Sequence, residues 1–427
     1  MLRGMKSNHP RSSDAHPLSG DAPSLSSVTR RSFLQTLGLG SAALAVTPAR
    51  GAEDKVIQGF EAAPTTTEAA KGWRPVSDRK IRVGLAGYGV CRFAAAFGFE
   101  KHPNVEIVAV TDLVPENCAG LAKAVGCQKT YPSAEEMVKD DRIEAVFIAT
   151  DAPSHARLCI EALKHGKHAA SAVPAVFGSL EDAHKLFETV KATGLKYMMF
   201  ETSYFHEDLH AMRQIYRAGG FGKLLYAEGE YFHYLPRMVD SYKGWRDGLP
   251  PQWYPTHSNA YYVGVTGGSF TEVSCLGMPS TFGYLQPRNN RYTNPFGTEI
   301  ALFRTSEGGM ARMGVSWDSP GYGGEMGRVR GQKGSYYEDH GKFQPAEKGA
   351  EKNLPDVSRP PLPPSVSRGG HGGSHGYLMN EFIMAILENR KPLVDAAQAL
   401  NMTAAGIIAH ESAMKGGELL KIPQFKL

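Results

Sequence analysis

The chain has 427 residues, 42% of them hydrophobic and 21% charged, which is an ordinary globular composition long enough for two or three domains. Its formal charge of +4 is concentrated at the start: residues 1–51 carry six of the 47 Lys/Arg and only two of the 43 Asp/Glu, so the remainder is formally neutral, which excludes nucleic-acid or membrane binding driven by bulk charge. The five cysteines (Cys91, Cys118, Cys127, Cys159, Cys275) are odd in number and form no C-x-x-C pair, which argues against a disulfide framework and a thiolate zinc site.

The first fifty residues read as an address. Arg30-Arg31-Ser32-Phe33-Leu34 follows a polar leader, a weakly apolar run extends from Leu34 to Val46, and Ala49-Arg50-Gly51 offers small residues for cleavage near Gly51–Ala52. This resembles a twin-arginine export signal. The run is about thirteen residues, short of the roughly twenty that span a bilayer, so no membrane anchor is expected after processing. The expected organisation is a signal over 1–51, a polar linker over 52–79, a dinucleotide-binding domain over 80–200 and a substrate and oligomerisation domain over 201–427.

From Ile81 the chain alternates short apolar runs (IRVGLA, VEIVAVT, AVFIAT, KHAASAV, KYMMFE) with helical stretches. The runs are rich in β-branched residues, as in strands buried on both faces of a parallel sheet. Pro115 opens a helix that Gly126 ends, His155 to Lys164 stops before Gly166, and Ser179 opens a helix running to about Ala192. This predicts a doubly wound α/β domain of Rossmann type. Further on, KLLYAEGEYFHY alternates, and EIALFRTS and MARMGVSWD flank EGG as a hairpin would. The second domain is therefore expected to be α+β, with an open, mostly antiparallel sheet. Residues 340–376 read as a Pro/Gly/His-rich loop, followed by helices over Tyr377–Glu388 and Ala396–Met414.

The stretch Gly84-Leu-Ala-Gly87-Tyr-Gly89-Val-Cys-Arg92 follows a strand and is expected to open a helix. Gly87 suits the tight turn and Gly89 lets the backbone approach a pyrophosphate at the helix N-terminus. Asp112, 25 residues after Gly87, ends the next strand, where a carboxylate accepts hydrogen bonds from ribose hydroxyls and repels a 2′-phosphate. NAD is thus expected over NADP. Arg92 stands where the fingerprint has its third glycine.

With these stretches, together with IATDAPSHARLCIEALKHGKH, AVP and GKLLYAEGEY, residues 80–420 resemble the Gfo/Idh/MocA oxidoreductases. The resemblance implies bound NAD(P), a sugar or polyol substrate and a homo-oligomer. It also implies cofactor contacts from Val90, Cys91, Arg92, Thr150, Asp151, His155 and Pro174. Two departures stand out. The family's Glu-Lys-Pro, whose Lys handles the substrate's hydroxyl proton, is Ala172-Val173-Pro174 here. Its G-G-x-x-x-D-x-G-x-H motif, laid on GGSFTEVSCL, puts Glu272, Ser274 and Leu276 at the Asp, second Gly and His. QWYPTHSNAYY resembles one branch, the NAD-dependent α-N-acetylgalactosaminidases, which implies that Tyr254, His257 and, from MMFETSYF, Tyr204 belong to the active site, with Tyr322 of DSPGY nearby.

Oxidising a sugar carbon needs a base, and a histidine with its ordinary pKa near 6.5 serves at neutral pH. His257 is the first choice, with Tyr254 orienting a hydroxyl and Tyr204 touching substrate. GGHGGSHG lacks carboxylates and is expected to hold no metal; it reads as loop, or as a flap bringing His371 or His375 over the site. Tyr231, Phe232, His233 and Tyr234 either stack on sugar faces or pack a sheet. Outside the cytoplasm NAD is not regenerated, so an exported enzyme is expected to retain its cofactor. The expected function is a carbohydrate oxidoreductase. The alternatives are a redox-neutral NAD-dependent glycosidase and a non-catalytic carbohydrate-binding protein.

Overall fold

A computed structural model describes residues 70–338 and 342–427, so the twin-arginine stretch and most of the linker lie outside the described residues. The first half places strands β1 (Ile81–Ala86), β2 (Val105–Thr111), β3 (Thr130–Tyr131), β4 (Ala145–Ile148), β5 (His168–Ser171) and β6 (Tyr197–Met199) in one sheet. Their order is β3-β2-β1-β4-β5-β6, with every pairing parallel. Between them run α1 (Phe93–Ala96), α2 (Pro115–Val125), α3 (Ala134–Met137), α4 (His155–Lys164) and α5 (Leu180–Thr193). The strand order reverses between β1 and β4, so a crevice opens at their carboxyl ends. The local signals act as expected. Pro115 starts α2, Gly126 caps it in the left-handed region, and the Ser179 side chain accepts from Asp182 N at the start of α5.

The helix after the glycine turn is one turn long, not the full helix expected. Arg92 precedes it at φ +48°, outside the helical region and exposed. Close packing against the sheet comes instead from Ala94, which is fully buried.

The second half contains α6 (Glu207–Arg217), β7 (Leu224–Phe232), α7 (Thr256–Thr266), β8 (Phe270–Pro279), β9 (Phe296–Thr305), β10 (Met310–Ser316), β11 (Gly324–Gly331), β12 (Gly334–Tyr337), β13 (Lys342–Pro345), α8 (His375–Leu387), α9 (Ala396–Met414) and β14 (Leu420–Lys421). The sheet order is β13-β12-β11-β7-β10-β9-β8-β14; β7 and β10 run parallel and the other pairs antiparallel. The hairpin β9–β10 is the one read from EIALFRTS-EGG-MARMGVSWD. Helices α7 and α9 cover one face. The other presents Leu225, Leu276, Leu302 and Met310 to solvent.

Two readings of this half need correction. The stretch over 340–376 includes strand β13, and α8 starts at His375 rather than Tyr377. The pair Gly267-Gly268 closes α7 at its C-terminus, with Gly267 at φ +74°, and SFTEVSCL is strand β8. Leu276, which stands at the position of the family's His, is 65% exposed on the open face.

Candidate active site

The nucleotide-sized cleft lies over the turn from β1 into α1. Gly87 has φ +99°, and a Cβ there would lie 2.3 Å from the Ala149 carbonyl oxygen, so only glycine lets β1 turn beside the end of β4. A Cβ at Gly89 would meet nothing within 4 Å, which leaves the approach to the turn open on the cleft side. Asp112 accepts from Tyr88 N (2.6 Å) through Oδ2 and from Val114 N (2.8 Å) through Oδ1, so its carboxylate is held rigidly at the rim. Gly87, Gly89, Val90, Cys91, Arg92, Asp112, Thr150, Asp151 and His155 all line this cleft. Pro174 does not; its carbonyl lies 2.9 Å from His155 Nδ1, while His155 Nε2 lies 3.3 Å from the Thr150 carbonyl. Burial lowers the His155 pKa, and the neutral ring, with one N–H, donates to one of these two carbonyls. These features fit a dinucleotide: an open approach at Gly89, a fixed acid at the ribose position and a switch-point crevice.

The cleft adjoins a second cavity of about 700 Å³, its mouth included. Cys91, Phe93, Ala172, Val173, Arg246 and Tyr254 line both spaces. Tyr231, His233, His257, Trp317 and His371 complete the second. Tyr231 packs 4.5 Å from the His257 ring and 5.7 Å from Trp317, while Tyr254 lies 5.6 Å from His257, all as centroid separations. Where the family carries its lysine, Ala172 and Val173 offer only apolar surface. Arg246 fills part of the shared wall, its Nη2 3.6 Å from Cys91 Sγ and its guanidinium carbon 4.3 Å from the Trp245 ring centroid.

His257 stands in the first turn of α7, 3% exposed. Its Nδ1 lies 2.8 Å from Glu201 Oε1, 3.4 Å from Glu325 Oε1 and 3.2 Å from Thr202 Oγ1. Burial alone would depress its pKa, but the two carboxylates outweigh burial and raise it to about 9. A ring that already carries its proton at neutral pH donates a hydrogen bond; as a base it works only on the alkaline side of that value. Glu325 is driven the other way. Burial would raise its pKa, but His257, His206 and His371 lower it to about 2.

The structure brings Tyr254 and His257 together at the second cavity. Burial raises the Tyr254 pKa, so it stays a phenol. Tyr204 lies elsewhere, lining neither space. It is 1% exposed, with the Arg213 guanidinium 4.9 Å from its ring centroid and Gly264 of α7 packed against its edge. Tyr322 is fully exposed. Of the two loop histidines, His371 lines the second cavity at φ +48°, and His375 turns into the core 4.2 Å from Phe97.

Glu201, Glu325, Thr202 and Arg246 were not read from the sequence. Glu201 could have been, because it follows β6 at the ligand end of a parallel sheet. Glu325 begins β11 in a Gly-rich stretch and carries no local signal.

Residues 81–201 match the model of an oxidoreductase family with an NAD-binding Rossmann fold. A glycosyl hydrolase family 109 protein of Porphyromonas gingivalis is 32% identical over 177 residues, which are 39% of this chain and 37% of that protein. Glycosyl hydrolase family 109 protein 2 of Akkermansia muciniphila is 25% identical over 93% of this chain and 96% of its own length. The crystal structure of scyllo-inositol dehydrogenase from Lactobacillus casei with bound NAD(H) and scyllo-inositol superposes with a TM-score of 0.62 at 18% identity, covering 80% of this chain and 99% of that one, a likeness of fold. With its parallel switch-point sheet and its glycine turn, the stretch over residues 81–201 is similar to the NAD-binding domain of the Gfo/Idh/MocA oxidoreductases.

Proposed function

We propose that the chain is an exported oxidoreductase that retains NAD and acts on a sugar or sugar derivative. The observation that carries this reading is the shared wall of Cys91, Ala172, Val173, Arg246 and Tyr254, at which the nucleotide cleft meets an aromatic cavity. Gly87, Gly89 and Asp112 would hold the dinucleotide, and the Asp112 carboxylate favours free ribose hydroxyls over a 2′-phosphate. Bound there, NAD supplies a hydride acceptor and donor at the junction of the two spaces. The rings of Tyr231, Tyr254 and Trp317 offer apolar faces of the kind sugars stack on. With Nδ1 tied to the carboxylates, His257 is left with its Nε2 edge for the cavity. An N–H there hydrogen-bonds the sugar oxygen whose carbon changes oxidation state and stabilises charge developing on it. Retention of the cofactor would match the twin-arginine reading of Arg30-Arg31, since that route carries folded proteins. The exposed sheet face supports assembly into a homo-oligomer.

A second reading is favoured by the family 109 relatives, one of them matched over 93% of this chain. In a redox-neutral glycosidase, transient oxidation of a ring carbon acidifies the neighbouring C–H. The leaving group is eliminated, water adds, and the carbonyl is reduced again.

The purified protein tests both readings. Denaturation should release about one NAD per chain, and free sugars should then raise the reduced-nicotinamide absorbance of the native protein. Cleavage of aryl glycosides with no added oxidant would select the glycosidase. Absence of released nucleotide together with absence of NAD binding would overturn both.

A further inference from the structure

Behind the wall of the second cavity, four segments converge on one buried polar knot. Glu201 follows β6, His206 precedes α6, His257 lies in the first turn of α7 and Glu325 is near the start of β11. Ligand atoms of Glu201, His257 and Glu325 all lie within 4.8 Å of one another, and His206 Nε2 lies 3.2 Å from Glu325 Oε2. We propose that Glu201, His206, His257 and Glu325 form a binding site for one first-row divalent cation, of the Zn²⁺ or Mn²⁺ class.

Three observations carry this. First, like charges are buried together. Two carboxylates are buried, Glu201 at 0% and the Glu325 side chain at 6% exposure, and among the described residues no Lys or Arg lies within ion-pairing distance of either. Their ion-pair partners among the described residues are the imidazoles of His206 and His257, and two buried carboxylates side by side are costly unless a cation neutralises them. A divalent cation with neutral imidazoles makes the set neutral. Second, the second carboxylate oxygen of Glu201, Oε2, is buried and has no hydrogen-bond partner. Third, the spacing suits an ion. Donors about 2.1 Å from a metal sit roughly 3 Å apart when adjacent, and the separations here are 2.8 Å (His257 to Glu201), 3.4 Å (His257 to Glu325) and 3.2 Å (His206 to Glu325). Two imidazole nitrogens and two carboxylates suit a borderline ion, not Cu⁺ or Ca²⁺. The carboxylates are already oriented from outside: Ser203 N donates to Glu201 Oε1 (3.0 Å), and Ser203 Oγ (2.6 Å) and Thr202 Oγ1 (3.1 Å) donate to Glu325. The sequence expectation of no metal rested on GGHGGSHG; these ligands are scattered from 201 to 325 and share no motif spacing. With an ion on Nδ1, the Nε2–H of His257 becomes a fixed donor to the cavity. The site does not depend on the sugar reading.

The test uses the full protein, stripped with EDTA, equilibrated with Zn²⁺ or Mn²⁺, desalted and assayed for metal by mass spectrometry. One ion per chain is expected, with a higher unfolding temperature in Zn²⁺. Glu325→Gln and Glu201→Gln should each weaken Zn²⁺ binding at least tenfold, whereas Asp112→Ala, in the other cleft, should keep one ion. Circular dichroism checks that the variants fold. If they do not, the Co²⁺ spectrum of the unaltered protein decides, because mixed imidazole and carboxylate ligation gives visible bands that the aquo ion lacks in that strength. No uptake by the unaltered protein, or uptake that both folded Gln variants keep at full affinity, overturns the proposal and leaves a closed ion triad.

Discussion

Nδ1 of His257 lies 2.8 Å from Oε1 of Glu201, and both side chains are almost wholly shielded from water. The carboxylate at the end of β6 thereby fixes the imidazole at the start of α7, so the ring has one orientation toward the second cavity. The acid follows the last strand of the parallel sheet, and the imidazole stands on a helix that covers the second sheet.

His257→Asn should lower turnover of a sugar substrate by about 10²-fold or more, the usual scale for a lost acid–base or charge-stabilising group. Tyr204→Phe should leave turnover within about threefold, since only a hydroxyl remote from both cavities is removed. Steady-state kinetics of the two variants side by side checks this, and a larger loss for Tyr204→Phe would restore Tyr204 to the site.

The two glycines of the turn should fail differently. Gly87→Ala puts a methyl 2.3 Å from the Ala149 carbonyl at φ +99°, so stability should drop by roughly 2 kcal/mol or more in a urea titration. Gly89→Ala meets no protein atom and should fold normally but bind NAD at least about tenfold more weakly, because the methyl stands where the pyrophosphate would approach.

Asp112→Ser should narrow the preference for NAD over NADP by about tenfold or more, read from paired fluorescence titrations with the two nucleotides. An unaltered ratio would show that Asp112 does not meet the ribose.

On the open sheet face, Leu276 pairs with Ile300 and Leu302 stands beside Ser274. Leu302→Lys should convert the assembly to a single chain by light scattering after gel filtration, because a charge buried at a sheet-on-sheet interface is unpaired. A single chain before substitution would defeat the oligomer reading.

Replacing Arg30-Arg31 with two lysines should leave the precursor in the cytoplasmic fraction while the unaltered chain is processed and exported. Cell fractionation with immunodetection checks it.

The parallel sheet was legible because its strands are unbroken apolar runs closed by turn residues. AVFI of β4 is buried at every position, and α2 begins and ends where Pro115 and Gly126 direct. Helix α7 was not legible. All but the last of its residues are buried, so THSNAYYVGVT has no polar face and shows no helical period. The glycine pair of GGSFTEVSCL gives no sign of which element it closes, and only the packing shows that it ends α7.

The amino-acid sequence by itself determined the nucleotide turn, since Gly87, Gly89 and Asp112 act through backbone geometry within one β-α-β unit and need nothing distant. It also determined the two-domain class, through strand composition and spacing. The tertiary structure alone decided the rest of the site. It joined Glu201, His257 and Glu325 across 124 positions of the chain, buried Tyr204 beneath Arg213, and set Arg246 in the wall between the two cavities. Charge and burial at those positions are properties of the fold, because a carboxylate's neighbours, and with them the proton affinity of a histidine, depend on which segments the packing brings within a few ångströms.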